Sequence, residues 1–169
     1  MMTTVLLLAV VMGLQAQSLV GTWKTATETD KDGDKTTIFI TFEQNGSASL
    51  KVQLEASDPE VGDFVFSVTI PGTYKYVDKT LTLNMDSKKG EGKMEKMVFS
   101  KEIKDMLEQQ PELKKTLNDM IQKQIDENLK KELADSTPLD GEVEIAELTS
   151  TTLIIVDTDD EKIVFSRVR

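Results

Sequence analysis

The chain has 169 residues, with 20 basic and 30 acidic side chains, a formal net charge of −10, and neither cysteine nor histidine. The acidic balance argues against nucleic acid and anionic membrane surfaces as partners. The missing residue types exclude disulfides, thiolate chemistry, cysteine–zinc sites, histidine-based metal sites and a lipid-anchoring cysteine. The length is that of one domain whose core can be large enough to fold without disulfides.

An apolar leader opens the chain. Residues 1–16 carry no charge, Val5–Met12 is an unbroken apolar run, and the small residues Gly13 and Ala16 suit a signal-peptidase cut. The run is shorter than the roughly 20 residues that a membrane-spanning helix needs. We interpret residues 1–16 as a signal peptide, the alternative being a buried N-terminal strand. Residues 17–169 are then one secreted or periplasmic domain that is not a lipoprotein and has no membrane span.

Short segments of alternating apolar and polar residues follow the leader. After a first segment, Leu19–Thr29, Thr36–Glu43 is joined across the hairpin signal Gln44–Gly46 to a strand beginning at Ala48. The remaining predicted strands are Phe64–Ile70, residues 73–77 and 81–85, Met94–Phe99, Glu142–Glu147, Thr151–Asp157 and Lys162–Val168. Short strands at this spacing, mostly joined as hairpins, are typical of an antiparallel sandwich or closed barrel.

Loops and turns are predicted from their polar, glycine and proline residues. We expect a loop over residues 56–63 and turns at Pro71-Gly72 and Asp78-Lys79. The acidic segment Asp30–Asp34 superficially resembles a calcium loop. However, Lys35 and Thr41 hold the positions at which an EF-hand needs glycine and glutamate. We therefore interpret this segment as a turn and expect neither a metal site nor a cofactor.

The pattern becomes helical over Lys101–Ala134, which is rich in Glu, Lys, Leu and Gln. Pro111 divides it into helices at Lys101–Gln109 and Pro111–Ala134, because proline is tolerated in a first turn but not inside a helix. The longer helix has an apolar residue at every fourth position: Leu113, Leu117, Ile121, Ile125, Leu129 and Leu133. Such a stripe drifts around the helix surface, which suits a helix lying across a twisted sheet. Residues 100–135 are thus predicted to be a helical insertion before the last three strands.

The opening sequence LVGTWK, Leu19–Lys24, resembles the first motif of the lipocalin (calycin) superfamily. Segments 40–50, 71–83 and 148–168 resemble, in order, later parts of the lipocalin-like domains common among secreted proteins of Bacteroidetes. The resemblance implies a mainly β fold, an antiparallel up-and-down barrel of about 8–10 strands. The two-helix insertion is unusual for that family.

In that family a tryptophan packs under the closed end of the barrel, and an arginine of the last strand lies over its ring. Trp23 and Arg167 match those positions. By alternation Arg167 shares an inward face with Phe165, where a guanidinium needs a partner that an indole ring can supply. Gly21 keeps the backbone close where the first strand enters the barrel. We expect Gly21, Trp23 and Arg167 to be structural residues.

The inward strand faces are nearly all apolar, which predicts either a ligand cavity or a solid core, since alternation is the same in both cases. The candidate cavity residues are Leu50, Val52, Leu54, Phe64, Phe66, Tyr74, Tyr76 and Met120. On this interpretation the protein binds a small apolar, lipid-like ligand. No catalytic constellation stands out among the 30 acidic side chains, so we expect no enzymatic activity.

Methionines cluster in sequence around the helical insertion. They are Met85, Met94, Met97, Met106 and Met120. Their adaptable thioether side chains suit a lid over the barrel mouth, plain core packing, or a docking surface for a partner or second subunit. The alternative function is therefore a non-enzymatic interaction module with a filled barrel, which binds a protein partner or forms a homodimer through residues 101–134.

Overall fold

A computed structural model describes residues 18–135, 139–157 and 160–169, and the predicted signal peptide at residues 1–16 lies outside these ranges. The described residues form ten strands: β1 Gly21–Thr25, β2 Glu28–Thr29, β3 Lys35–Phe42, β4 Ser47–Asp58, β5 Gly62–Val77, β6 Thr80–Met85, β7 Glu91–Phe99, β8 Gly141–Leu148, β9 Thr152–Val156 and β10 Lys162–Arg167. Two α-helices, α1 Lys101–Gln109 and α2 Pro111–Asp135, and a short 3-10 helix at Ser87–Lys89 complete the fold.

Eight of these strands close into an antiparallel barrel in the order β1–β10–β9–β8–β6–β5–β4–β3. The barrel closes because β1 pairs with β10 on one side and with β3 on the other, so that Trp23 lies opposite both Arg167 and Ile40. The predicted mainly β antiparallel barrel, with two helices before the last three strands, is confirmed.

The predicted turn at Pro71-Gly72 is wrong, because β5 runs straight through it. The first part of β5 pairs with β7 as far as Thr69, and the part from Gly72 onward pairs with β6. Proline has no N–H to donate, and Pro71 stands where the strand exchanges one neighbour for another. A Cβ at Gly72 would lie 2.5 Å from the backbone oxygen of Asn84, so glycine permits the close approach of β6.

The loop predicted over residues 56–63 is also shorter than expected, since β4 ends at Asp58 and β5 begins at Gly62. The Asp58 carboxylate forms the tight turn between them, because its Oδ1 accepts hydrogen bonds from the backbone nitrogens of Glu60 and Val61. The hairpins predicted at Gln44–Gly46 and Asp78-Lys79 are confirmed by the strand pairings.

A packed core fills the barrel. Its largest fully buried side chains are Trp23, Ile40, Phe42, Leu50, Ile70, Leu81, Leu83, Leu153, Ile155 and Phe165. They come from seven different strands and point inward because strand side chains alternate between two faces. At these positions the apolar inward faces form a solid core.

Both helices begin where the sequence predicts. Ser100 caps α1, its Oγ accepting a hydrogen bond from the backbone nitrogen of Ile103 and donating one to the backbone oxygen of Glu60. Pro111 is the first residue of α2. Helix α2 lies against β7 and the 3-10 helix. The insertion is thus attached to β7, which pairs with β5 and lies outside the barrel order.

Candidate ligand-binding groove

An apolar groove of about 240 Å³ lies between α2 and the sheet that the first part of β5 forms with β7. Among the described residues that line it, Asp58 is the one ionisable side chain. The others are apolar: Val61, Phe64, Phe66, Met94, Met97 and Ile121. A groove with this lining can hold an apolar molecule but offers little hydrogen bonding.

The floor of the apolar groove comes from residues two apart on β5 and their partners on β7. Phe64 and Phe66 share a face because successive strand side chains alternate. Met97 lies opposite Phe64, and Met94 lies opposite Phe66. On the other side of β5, Leu54 of β4 lies opposite Phe66. Apolar side chains therefore cross the sheet in rows and make a continuous apolar floor.

A β-bulge places both methionines on this floor. Met94 and Met97 are three positions apart, so strict alternation would turn them to opposite faces of the sheet. However, Val65 pairs with Lys96 and Phe66 pairs with Met94, which leaves Glu95 as an extra residue. The bulge shifts the alternation by one position and returns Met97 to the groove.

The extra residue, Glu95, points to the opposite face and holds three strands together there. Its carboxylate lies 3.0 Å from Lys51 Nζ on β4 and 3.0 Å from Lys93 Nζ on β7. Ser67 Oγ of β5 donates a hydrogen bond to Oε1 over 2.9 Å. The hydrogen bonds from Lys51, Lys93 and Ser67 lower the pKa of Glu95 from 4.5 to about 2. This network links the three strands on the face of the sheet opposite the groove floor.

Helix α2 supplies the wall of the groove and is pinned to the edge of β7 by Gln122. The Gln122 side chain donates from Nε2 to the backbone oxygen of Gly92 over 2.9 Å and accepts from the backbone nitrogen of Met94 over 3.3 Å. The side-chain amide thus bonds the β7 edge as a neighbouring strand would. The preceding residue, Ile121, points into the groove.

In the barrel itself, Trp23 and Arg167 form a stacked pair. The Arg167 Cζ lies 4.1 Å from the centroid of the fully buried Trp23 ring. The indole Nε1 donates to the backbone oxygen of Leu19 over 2.8 Å, and Arg167 Nη1 donates to that of Val20 over 2.8 Å. Gly21 has φ +132°, and a Cβ there would lie 2.6 Å from Arg167 Nη1. Glycine therefore leaves room for the guanidinium beside the buried indole ring.

Five of the predicted cavity residues lie on one continuous face but in different environments. Leu50 is fully buried in the packed core. Phe64 and Phe66 line the apolar groove. Val52 and Leu54 are half-buried on β4, opposite Val68 and Phe66. The inward face is therefore solid around Leu50 and becomes accessible towards Phe64.

The other three predicted cavity residues lie elsewhere. The Tyr74 ring packs edge-on against Phe42 at 4.8 Å between centroids, and its hydroxyl donates to the backbone oxygen of Glu43 over 2.9 Å. Burial raises the pKa of Tyr74. Tyr76 is 37% exposed, and Met120 is 63% exposed on α2. None of these three is among the described residues that line the apolar groove.

Several groove residues were not among the predicted cavity residues. Asp58 and Val61 fall in the predicted loop, where nothing marks them as ligand-facing. Met94 and Met97 belong to the methionine cluster, and Ile121 belongs to the four-residue stripe of the helix. These two patterns were the available signals, but neither shows which side of the helix or strand faces the sheet.

In the acidic turn Asp30–Asp34, the Asp30 carboxylate accepts hydrogen bonds from the backbone of the turn itself. Asp30 Oδ1 accepts hydrogen bonds from the backbone nitrogens of Asp32 and Asp34 over 2.9 and 3.0 Å. Within the described part of the chain, no group of three or more acidic side chains is placed to hold a metal ion. Over the same residues, no helix combines the length and the apolar character that crossing a membrane requires.

No protein-family model matches the chain, and no curated protein matches it at a significant level. The function proposed below therefore rests on the fold and on the apolar groove.

Proposed function

We propose that this protein is a lipocalin-like binding protein that holds a small apolar, lipid-like ligand in the apolar groove and has no enzymatic activity. The observation that carries the proposal is the lining of the groove, where two phenylalanines, two methionines, a valine and an isoleucine meet. Burying the apolar surface of a ligand against such side chains is favourable at roughly 25 cal/mol per Å².

The proposal places the ligand outside the packed core. The inward side chains around Trp23 and Leu50 are fully buried and fill the barrel at that level. Beyond them, the face that carries Phe64 and Phe66 is only half-buried, because α2 covers it in part. At about 240 Å³ the groove is smaller than typical ligand pockets, which begin at roughly 300 Å³, so it suits a very small molecule or the tail of an amphiphile.

Membership of the lipocalin-like group is part of the proposal. It is supported by the closed eight-stranded antiparallel barrel and by the stacking of Arg167 on Trp23. Secretion or export to the periplasm is also proposed, and is supported by the apolar leader sequence at residues 1–16.

Two neighbouring residues of α2 give a matched test. Ile121 lines the apolar groove, whereas Met120 is 63% exposed on the same helix. The neutral dye N-phenylnaphthylamine, which fluoresces strongly in apolar sites, should bind the wild-type protein saturably. We expect Ile121→Asp to weaken binding about tenfold or more, because a carboxylate in an apolar site is costly, and Met120→Asp to leave it unchanged.

Circular dichroism and thermal melting first establish that both variants fold like the wild type. Equal dye binding by two folded variants, or no saturable binding by the wild type, would contradict the proposed site. Native mass spectrometry of the protein from its own host gives an independent readout. A bound small molecule that is released on denaturation supports the proposal and identifies the ligand class.

A protein-interaction role through the helices is the second candidate. It is favoured by apolar side chains that α1 and α2 expose, with Met106 45%, Leu113 37% and Met120 63% exposed. Replacing all three by lysine should then abolish a dimer or a partner complex detected by light scattering. Unchanged association would exclude this surface.

A further inference from the structure

Asp58 has a defined place in the apolar groove. Its Oδ1 accepts hydrogen bonds from the backbone nitrogens of Glu60 over 2.7 Å and Val61 over 2.9 Å, which fixes the side chain over the β4–β5 turn. Along β5 the next groove residues are Phe64 and Phe66. The groove therefore has an acidic end at the turn and an apolar length beyond it.

The electrostatics of the groove favour one sign of charge. No basic side chain is among the described residues that line it. The adjoining hollow between β7 and α2 is lined by Asp119, Lys96 and Glu95, and Glu95 is already paired with Lys51 and Lys93, so this hollow adds no net charge. The whole chain carries a formal net charge of −10. Asp58 is exposed at the end of β4, so its charge acts through water and at short range.

The rest of the groove suits an alkyl tail. The phenyl rings of Phe64 and Phe66 line the groove beyond Asp58 and offer such a tail apolar surface. Met94 and Met97 add polarizable thioethers on the floor. A carboxylate or phosphate group at the turn would instead face Asp58 with no cation in the lining to offset the repulsion.

Resting on the function proposed above, we infer that the ligand is a small amphiphile with a cationic head, such as an alkylammonium. Its head lies at Asp58, and its alkyl tail runs along Phe64 and Phe66 towards Ile121. Asp58 is then the residue that determines which head group is accepted.

The test compares three probes with the same eight-carbon tail and different heads: octylammonium, octanol and octanoate. Each probe competes with N-phenylnaphthylamine for the wild-type protein at neutral pH. We expect octylammonium to displace the dye at a concentration about fivefold lower than octanol, with octanoate the weakest, as suits one partly exposed ion pair. The preference should shrink at high salt, which screens exposed charges.

Two matched variants assign the preference to Asp58. Asp58→Asn keeps an oxygen that can accept the turn hydrogen bonds but removes the charge, so it should abolish the preference while the neutral dye still binds. Asp63→Asn removes one charge from the same hairpin. Asp63 lines a hollow with Lys35 and Glu55, accepts a hydrogen bond from Ser57, and is not among the described groove residues, so its loss should leave the preference intact.

The outcomes separate the two proposals. If the dye binds the wild type but octanoate competes as well as octylammonium, or if Asp58→Asn retains the preference, the cationic head is wrong and the apolar site stands. If the dye does not bind the folded wild-type protein, both proposals fail.

Discussion

The packed core and the apolar groove are built from the same sequence pattern, yet the side chains are fully buried in the core and only half-buried in the groove. In both, every second residue of a strand is apolar and faces the same side. Around Trp23 and Leu50 these side chains are fully buried, whereas Phe64 and Phe66 are only half-buried. The difference lies in what surrounds them. The core is enclosed by eight hydrogen-bonded strands, while the groove has β7 on one side and a helix above.

This comparison shows that enclosure, and not the apolar pattern, decides between a solid core and an open groove. Strand β5 belongs to both regions because it changes partner between Thr69 and Gly72. Residues after the change pair with β6 inside the barrel. Residues before it pair with β7. Within the described residues, no strand pairs with the other edge of β7.

The largest expected effect contrasts an aromatic residue from each region. Trp23→Ala should lower the free energy of unfolding by about 3–5 kcal/mol, because it empties a fully enclosed site, whereas Phe66→Ala should cost about 1–2 kcal/mol. Urea denaturation followed by far-UV circular dichroism measures both, since Trp23 is the only tryptophan. Equal losses would show that the two regions are enclosed to the same degree.

The next largest effect is expected at the stacked pair of Trp23 and Arg167. Gly21→Ala should cost about 2–3 kcal/mol, because alanine at φ +132° is strained and its Cβ would displace the Arg167 guanidinium. Gly33→Ala is the control: its φ is +91°, but a Cβ there meets nothing within 4 Å. The control should lose only the strain energy, about 1 kcal/mol. Adding Arg167→Ala should make Gly21→Ala less costly, and a purely additive double variant would contradict the steric explanation.

Loss of the Glu95 network, on the face of the sheet opposite the groove, should lower the free energy of unfolding in a pH-dependent way. The pKa of Glu95 in the folded protein, about 2, lies below its ordinary value of 4.5. The network therefore stabilises the fold above about pH 4.5, and this contribution is lost as the pH falls towards 2. Because Lys93 is 71% exposed and solvent screens it, we expect on the order of 1–2 kcal/mol.

The measurement is the free energy of unfolding of the wild type and of Glu95→Gln across this pH range. The difference between them should be largest at neutral pH and should disappear only below about pH 2. Glu144→Gln, which removes an exposed carboxylate from β8, controls for the change in net charge. A difference that does not depend on pH would exclude the ionised carboxylate as the cause.

The smallest expected effect lies in a barrel hairpin away from the groove. Asp78 and Lys79 both have positive φ, 50° and 72°, which asparagine and glycine adopt more readily. The double substitution Asp78→Asn and Lys79→Gly should raise the melting temperature slightly, for a gain of about 0.5 kcal/mol. Dye binding should not change. A loss of binding would show that the two regions are coupled through β5.

Local signals in the sequence determined most of the strands, two hairpins, the starts of both helices and the fold class. Alternation, the turn residues at Gln44–Gly46 and Asp78-Lys79, and the proline that opens the longer helix act between near neighbours in the chain, so they can be read without knowing the fold. The positions of Trp23 and Arg167 could be identified because both lie in short motifs at the ends of the domain.

Only the tertiary structure decided the position of the apolar groove. The bulge at Glu95 arises from the register between β5 and β7 and moves Met97 to the groove face. The continuation of β5 through Pro71 depends on its exchange of partners. The side of α2 that faces the sheet depends on Gln122 bonding to β7, which places Ile121 inward and leaves Met120 exposed. All three result from contacts between residues distant in the chain, and local periodicity carries no information about such contacts.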